Sequence, residues 1–272
     1  MYNTQRTLRR PPKIVRRPRR WPLSRLKGAT PIKAVIFSIH PEVTLVDITH
    51  AIAAQDIDAA AWALLDVTPR FPAGTIHIVV VDPGVGSERK IVYAEIDGQG
   101  YVAPDNGVLC RLADRANPTK IITVADPRHW LRDVSATFHG RDIMAPVAAK
   151  LALGLAPDEL GPPQQRLVRL DGPEVRILAD TIEGEVTAID SFGNLVTNIT
   201  TEMLEDVPVD DRVVIVCDEH ETRGIFTTYS DQPEMTLIAL VGSSGRLELA
   251  IVGESAAIML GVREHTPVVL TW

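Results

Sequence analysis

The sequence predicts an α/β N-terminal domain with a largely parallel sheet, followed by a C-terminal antiparallel β-barrel-like domain. Two observations predict this. From Lys33 to about Gly154, apolar strand-like runs alternate with helical segments, which is the pattern of an α/β layer. In the last hundred residues helical periodicity fades and short β runs follow at roughly even spacing, as in small antiparallel sheets. Between them "LGPPQQRLVRLDGPEV", with Pro162, Pro163 and Pro173, reads as a linker. The expected division is a basic arm over residues 1–32, an α/β domain over 33–165 and an all-β domain over 174–272.

The arm has no apolar periodicity, and five prolines lie between Pro11 and Pro31. Such a composition cannot build a core and is expected to be disordered. It contains no apolar h-region of a secretory signal. Three readings stay open for it: an extension or altered gene start, a basic contact to nucleic acid or an acidic partner, or a targeting segment. "KAVIFSI" (Lys33 to Ile39) suits a helix or a buried strand, and "VTLVDIT" (Val43 to Thr49) alternates as a strand does. "QDIDAAAWALLDVTPRFP" is helical, with Asp56 at its start and Pro69 as its stop. "GTIHIVVVD" reads as a strand, "KIVYAEID" and "GYVAPDNG" as shorter ones, and "DIMAPVAAKLALG" as a second helix. "TIEGEVTAID", "RVVIVCD", "TRGIFTTYS", "MTLIALVG", "RLELAIVG" and "TPVVLTW" are the β runs of the second half.

Composition excludes several function classes. Residues 1–33 hold eleven Lys or Arg and no acid, whereas the rest holds seventeen Lys or Arg against thirty-five Asp or Glu. An acidic body is a poor nucleic-acid binder. No apolar run reaches the roughly 18 residues of a membrane span. Two cysteines, Cys110 and Cys217, are too few for a disulfide framework and suggest a reducing, cytoplasmic compartment. The histidines show no HxxxH spacing and neither cysteine a CxxC partner, so no metal site is expected.

Chemistry concentrates in a few stretches. "VVVDPGVGSERK" carries Asp82 from an apolar strand into a glycine-rich turn, with Arg89 seven residues on. A carboxylate at the C-terminal end of an α/β strand sits where such sheets bind ligands, and Gly84 and Gly86 let the backbone approach one closely. The stretch is no dinucleotide fingerprint, because Arg89 stands where the third glycine belongs. "APDNGVL" has the composition of a hairpin turn. "SATFHGRDIMAPVAA" crowds His139, Arg141 and Asp142 at a strand-to-helix junction. Further on, "AIDSFGNLVTNI" holds Asp190, Phe192 and Asn194 between apolar runs, and "VGSSGRLELA" holds a turn with Ser243. Each has a bland alternative: Phe192 as a core side chain, Asn194 as a turn cap.

Taken in order, "DITH", "FPAGTIHIVVVDPGVGSER", "APDNGVL", "TFHGRD", "APVAA", "IDSFGNLVTNI" and "SSGRLELA" closely resemble the S-adenosyl-L-methionine (SAM) hydroxide adenosyltransferases, the adenosine-forming SAM hydrolases related to fluorinases and chlorinases. The resemblance runs from Lys33 to about Leu260. It implies that water attacks C5′ of the SAM ribose and methionine leaves, with SAM as substrate and no cofactor. It implies a homotrimer whose site lies between the α/β domain of one subunit and the β domain of the next. The family's water-activating aspartate, arginine and histidine fall on Asp82, Arg89 and His139. The halogenating relatives replace this aspartate, so its presence favours hydroxide over halide. By the same resemblance Asp190 holds the methionine ammonium, Ser243 its carboxylate, and Phe192 and Asn194 flank the adenine. One departure stands out. Family members begin with a strand ending in a TDFG-like motif whose aspartate grips the ribose hydroxyls, and "RLKGATPIKAVIF" offers no acid at that place.

Overall fold

A computed structural model describes residues 29–170 and 175–272. The arm expected over residues 1–32 falls almost wholly outside the described residues, as does part of the expected linker.

The N-terminal half opens with α1 (Thr30–Ile39) and α2 (Ile57–Val67). It continues with β1 (Ile76–Ile78), β2 (Ile91–Ile96), β3 (Gln99–Pro104), α3 (Cys110–Arg115), β4 (Lys120–Thr123) and α4 (Ala145–Ala152). Asp56 caps α2 by accepting a hydrogen bond from the Ala59 N–H at 2.8 Å, and a 3-10 turn at Thr68–Arg70 ends it at Pro69. Residues 33–39 belong to a helix. The strand expected at Val43 to Thr49 is absent: the segment is irregular, and Asp47 within it is held by Lys33 and His50.

The four strands run in the order β1-β3-β2-β4, and only β1 and β3 are parallel. The largely parallel sheet expected from the sequence is therefore a mixed one. The cause is local. Asp97 and Gly98, at φ 50° and 71°, join β2 to β3 as a two-residue turn, and such a turn permits only an antiparallel pair. The ladder of β1 is also shorter than its apolar text, and Val80 beyond it is exposed.

Alternation along β2 places Val92, Ala94 and Ile96 in a core with Ala60, Leu64 and Leu112 of α2 and α3. Ile91 and Tyr93 point into a second core with Val147 and Leu151 of α4. Helices thus cover both faces, and α1 packs on α4 through Ile36, Ala145 and Ala149.

The second half is β5 (Arg176–Ile177), β6 (Thr181–Ile189), β7 (Leu195–Thr200), β8 (Val214–Cys217), β9 (His220–Arg223), β10 (Ile225–Phe226), β11 (Leu237–Val241), β12 (Arg246–Ile251), α5 (Ala256–Leu260) and β13 (Pro267–Thr271). The strands follow the path β10-β11-β12-β7-β6-β13-β8-β9, with β5 added beside β6. Thr222 of β9 donates to the Leu237 carbonyl of β11 at 2.7 Å, which draws the two ends of the path together into a nearly closed barrel. All pairings but β10–β11 are antiparallel. The interior holds Ile182, Leu195, Ile199, Ile215, Leu247 and Leu270. Among the described residues no helix is long and apolar enough to cross a membrane.

Candidate active site

The chain leaves β1 still following β3, with the Val79 N–H on the Val102 carbonyl at 3.0 Å. Asn106 then donates to the Val81 carbonyl at 2.9 Å and accepts from the Val108 N–H. The "PDNG" turn is thus no hairpin. It leads from β3 into α3 and clamps the backbone that carries Asp82. A tight turn follows, with the Val85 N–H on the Asp82 carbonyl and the Ser87 N–H on Gly84. It returns the chain so that Arg89 faces Asp82. Arg89 Nε donates to Asp82 Oδ1 at 2.8 Å and Nη2 to Oδ2, a two-pronged pair. The same Nη2 donates to His139 Nδ1 at 2.9 Å. Both partners of the ion pair are half-buried residues whose side chains are only 11 % and 6 % exposed.

His139 arrives from another element. It immediately precedes a π-helical turn, Gly140–Met144, that opens α4. Such turns gather at functional sites. Two glycines let this segment close on the Asp82 loop. A Cβ on Gly140 would lie 2.8 Å from Val80 Cγ1, and one on Gly86, at φ +79°, would lie 2.3 Å from the Ala136 carbonyl oxygen. The close approach at Gly86 is therefore to the protein's own 135–140 loop rather than to the ligand expected from the sequence. Asp142 is buried and accepts from Arg141 and from the Ser135 N–H at 2.9 Å. It shapes the His139 loop and does not join the Asp82 group.

The hydrogen bonds assign the imidazole its tautomer. Arg89 only donates, so Nδ1 accepts and the proton sits on Nε2. Burial, with the Arg89 guanidinium next, holds the His139 pKa below the ordinary histidine value, against the opposing pull of Asp82 and Asp142. A neutral His139 presents an N–H donor, while each Asp82 oxygen keeps a lone pair beyond the one given to Arg89. The triad can polarise one small molecule from both sides: accept its proton at Asp82 and donate to its oxygen from His139.

The C-terminal candidates form a second group. Asp190 Oδ1 accepts the Phe192 and Asn194 N–H groups at 2.8 and 2.9 Å, and Oδ2 accepts Asn194 Nδ2 at 2.9 Å. This loop lifts Phe192 into solvent, 78 % exposed, so the ring is not core. Asn194 does more than cap the turn, because Nδ2 also reaches Tyr229 Oη at 3.3 Å. Tyr229 in turn donates to Glu248 Oε2 at 3.1 Å. Ser243 stands apart, its carbonyl accepting from Arg70 at 3.3 Å. Beside it, Arg246 donates to Ser244 Oγ at 3.3 Å, to Thr187 Oγ1 at 3.3 Å and to Asp66 of α2 at 2.5 Å. Among the described residues no hydrogen bond or ion pair joins the Asp82 group to the Asp190 group.

Sequence reasoning missed Tyr229, Glu248, Arg246 and Asp66. The available signal was in "RLELAIVG", where two charges interrupt an otherwise apolar strand. Inward charges on a β run are rare unless paired, and both Arg246 and Glu248 are buried and paired.

Comparison with known proteins fits this architecture. The SAM hydroxide adenosyltransferase N-terminal domain model matches residues 28–161, and the C-terminal domain model matches residues 184–269. An (R)-S-adenosyl-L-methionine hydrolase of Thermus thermophilus is 38% identical over 87% of this chain and 91% of its own. The chain belongs to the SAM hydroxide adenosyltransferase family. An (R)-S-adenosyl-L-methionine hydrolase of Salinispora tropica is 37% identical over 84% of this chain and 86% of its own. The crystal structure of a conserved protein from Thermotoga maritima superposes with a TM-score of 0.84, at 32% identity, over 91% of this chain and 97% of that one. The adenosyltransferase motifs therefore sit on a shared scaffold: the N-terminal match spans the Asp82 triad, and the C-terminal match spans Asp190, Asn194 and Ser243.

Proposed function

We propose that this chain hydrolyses S-adenosyl-L-methionine to adenosine and methionine. The observation that carries the reading is the Asp82–Arg89–His139 group, hydrogen-bonded together within a family whose relatives are named as SAM hydrolases. A water held between Asp82 and His139 Nε2–H loses a proton to Asp82 as its oxygen attacks C5′. The C5′–S bond breaks, its electron pair stays on sulfur, and methionine leaves as a neutral thioether. Attacking oxygen and sulfonium annihilate charge along the path, which a dry pocket favours. Alignment of oxygen, C5′ and sulfur supplies several kcal/mol more. No cofactor enters this scheme.

In the same reading Asp190 takes the substrate ammonium, Ser243 its carboxylate, and Phe192 and Asn194 the adenine. This reading places the site between the α/β domain, residues 33–165, of one copy and the β domain, residues 174–272, of another in a homotrimer. Buried free thiols at Cys110 and Cys217 suit a reducing cytoplasm.

Incubation with each sulfonium epimer of SAM tests the activity; the relatives are named for the (R) form. Adenosine and methionine in equal amounts are expected, and persistence of both epimers would sink the proposal. A second reading, a binding homologue with impaired turnover, is favoured by the absence of a carboxylate in "LKGAT" at residues 26–30. Losing one charge-assisted contact to a ribose diol costs roughly 1.5–3 kcal/mol. Calorimetric SAM binding without product would select that reading.

A further inference from the structure

The Asp190 loop contains a chain of hydrogen bonds whose donor and acceptor roles are forced from end to end. Asp190 anchors it. Oδ1 accepts two backbone N–H groups, and a carboxylate that accepts from its own loop can only accept from Asn194 as well. Asn194 must therefore present Nδ2 to Asp190, and the other Nδ2 hydrogen points to Tyr229 Oη at 3.3 Å. Tyr229 accepts that bond, so its own hydrogen must go elsewhere, and it goes to Glu248 Oε2 at 3.1 Å. The amide oxygen of Asn194 takes no hydrogen bond from the described residues. It is left for a donor from outside the chain.

We propose that Asp190 on one side and Glu248, acting through Tyr229, on the other together fix the Asn194 amide so that its oxygen faces the bound base, and thereby select an amino-purine nucleoside over its oxo-purine counterpart. The inference rests on the reading that Phe192 and Asn194 flank the base. The exposed Phe192 ring supplies a stacking face beside the amide. The exocyclic amine of adenosine donates to the Asn194 oxygen. Inosine carries a carbonyl at that place, and two acceptors would face each other. If Tyr229 lost its acceptor at Glu248, its hydroxyl hydrogen would be free to turn toward Asn194, and the amide would no longer be held against Asp190 from both sides.

Two features keep the relay in one state. Glu248 is only 8 % exposed and two residues from Arg246 on β12, so its carboxyl has little freedom. Burial and the nearby Glu248 charge push the Tyr229 pKa up to about 12, so the phenol keeps the hydrogen it donates. Tyr229 and Glu248 are positioning residues, since neither needs to touch the base for this role.

Calorimetry with adenosine and inosine tests the relay independently of turnover. The wild type is expected to favour adenosine by roughly 10- to 100-fold, the cost of one unpaired buried polar group. Tyr229→Phe and Glu248→Leu should each lower that ratio severalfold, because the amide is then held by Asp190 alone. Glu248→Gln should retain it, because its amide oxygen still accepts the phenol hydrogen. Tyr229→Phe changes a partly exposed side chain and keeps the test valid should Glu248→Leu fail to fold. A wild-type ratio in Tyr229→Phe and in folded Glu248→Leu would overturn the relay, as would a wild type that binds both nucleosides equally. Asn194→Ala separates the layers. If it leaves adenosine affinity and the ratio unchanged, the placement of the base beside Asn194 fails; if it lowers both while the Tyr229 and Glu248 variants do not, only the relay fails.

Discussion

Arg89 is the side chain on which the proposed catalytic group turns. Its guanidinium spends two donors on Asp82 and shares one of them with His139, a geometry that lysine, a single ammonium on a flexible stem, cannot reproduce. Arg89→Lys is expected to lower kcat by about 10²-fold or more and leave KM for SAM nearly unchanged. Asp82→Asn removes the proton acceptor, and a loss of roughly 10²–10⁴ in kcat is expected. Steady-state kinetics on both variants checks this; a kcat within twofold of wild type for Asp82→Asn would remove the carboxylate from the mechanism. Residue types at this site were legible in the sequence, because a strand-borne aspartate, a glycine turn and an arginine follow one another directly. The tautomer of His139 was not, since it depends on which neighbour donates to Nδ1.

A second residue-scale prediction concerns His77. It lies buried under α2, stacked on Tyr101 with Gln99 at 2.5 Å from Nε2, and burial lowers its pKa. The unfolded chain binds that proton near the ordinary value of about 6.5, the folded chain only at lower pH. Stability from neutral His77 is therefore complete above about pH 6.5 and lost as pH falls toward the folded value. His139 contributes with the same sign. Melting temperatures between pH 8 and about pH 5 should fall on the acid side, and less so for His77→Gln, which does not titrate. An equal acid-side fall in the variant would contradict the assignment.

At the scale of elements, α2 shows how far local signals reach. Its Asp56 start and its proline stop were readable, and each is where the sequence placed it. Asp56→Ala should cost about 1 kcal/mol, seen as a lower urea midpoint with an unchanged slope. Two other elements misled. Val43 to Thr49 alternates like a strand but pairs with no strand: Val43 and Leu45 pack their side chains with Ile36 of α1 and Ala145 and Ala149 of α4 instead, and alternation without a ladder partner is not a strand. The β2–β3 hairpin was announced by Asp97-Gly98, a strong two-residue turn signal. The general βα alternation around it pointed instead to parallel pairing, and the turn geometry prevailed.

For the whole molecule, the decisive contact joins the halves. Arg246 of β12 reaches Asp66 of α2 at 2.5 Å, and the guanidinium carbons of Arg246 and Arg111 lie over the Trp62 ring, 4.5 and 3.9 Å from its centroid. Removing one member of a buried pair leaves the other without compensation. Arg246→Leu is expected to destabilise the protein, by less than the roughly 3–5 kcal/mol of a fully buried pair because Asp66 keeps some solvent, measured by urea denaturation, and to disturb the Ser243 turn that Arg246 flanks. The proposed site between copies makes a further prediction. Asp82→Asn and Asp190→Asn, each inactive alone, should regain activity when co-assembled, because some interfaces then join two intact halves. Mixed assemblies as inactive as their parents would place both groups in one subunit's site.

The sequence by itself determined the family, the succession of an α/β half and a β half, and the residue types that meet around Asp82. These are carried by short contiguous motifs and local periodicity, which need no knowledge of distant partners. Only the tertiary structure decided the mixed order of the N-terminal sheet, the meeting of His139 with Asp82, and the Asn194–Tyr229–Glu248 and Asp66–Arg246 connections. Each of these depends on groups far apart in the chain, brought to hydrogen-bond distance by packing, and spacing along the sequence does not encode which buried charge finds which partner.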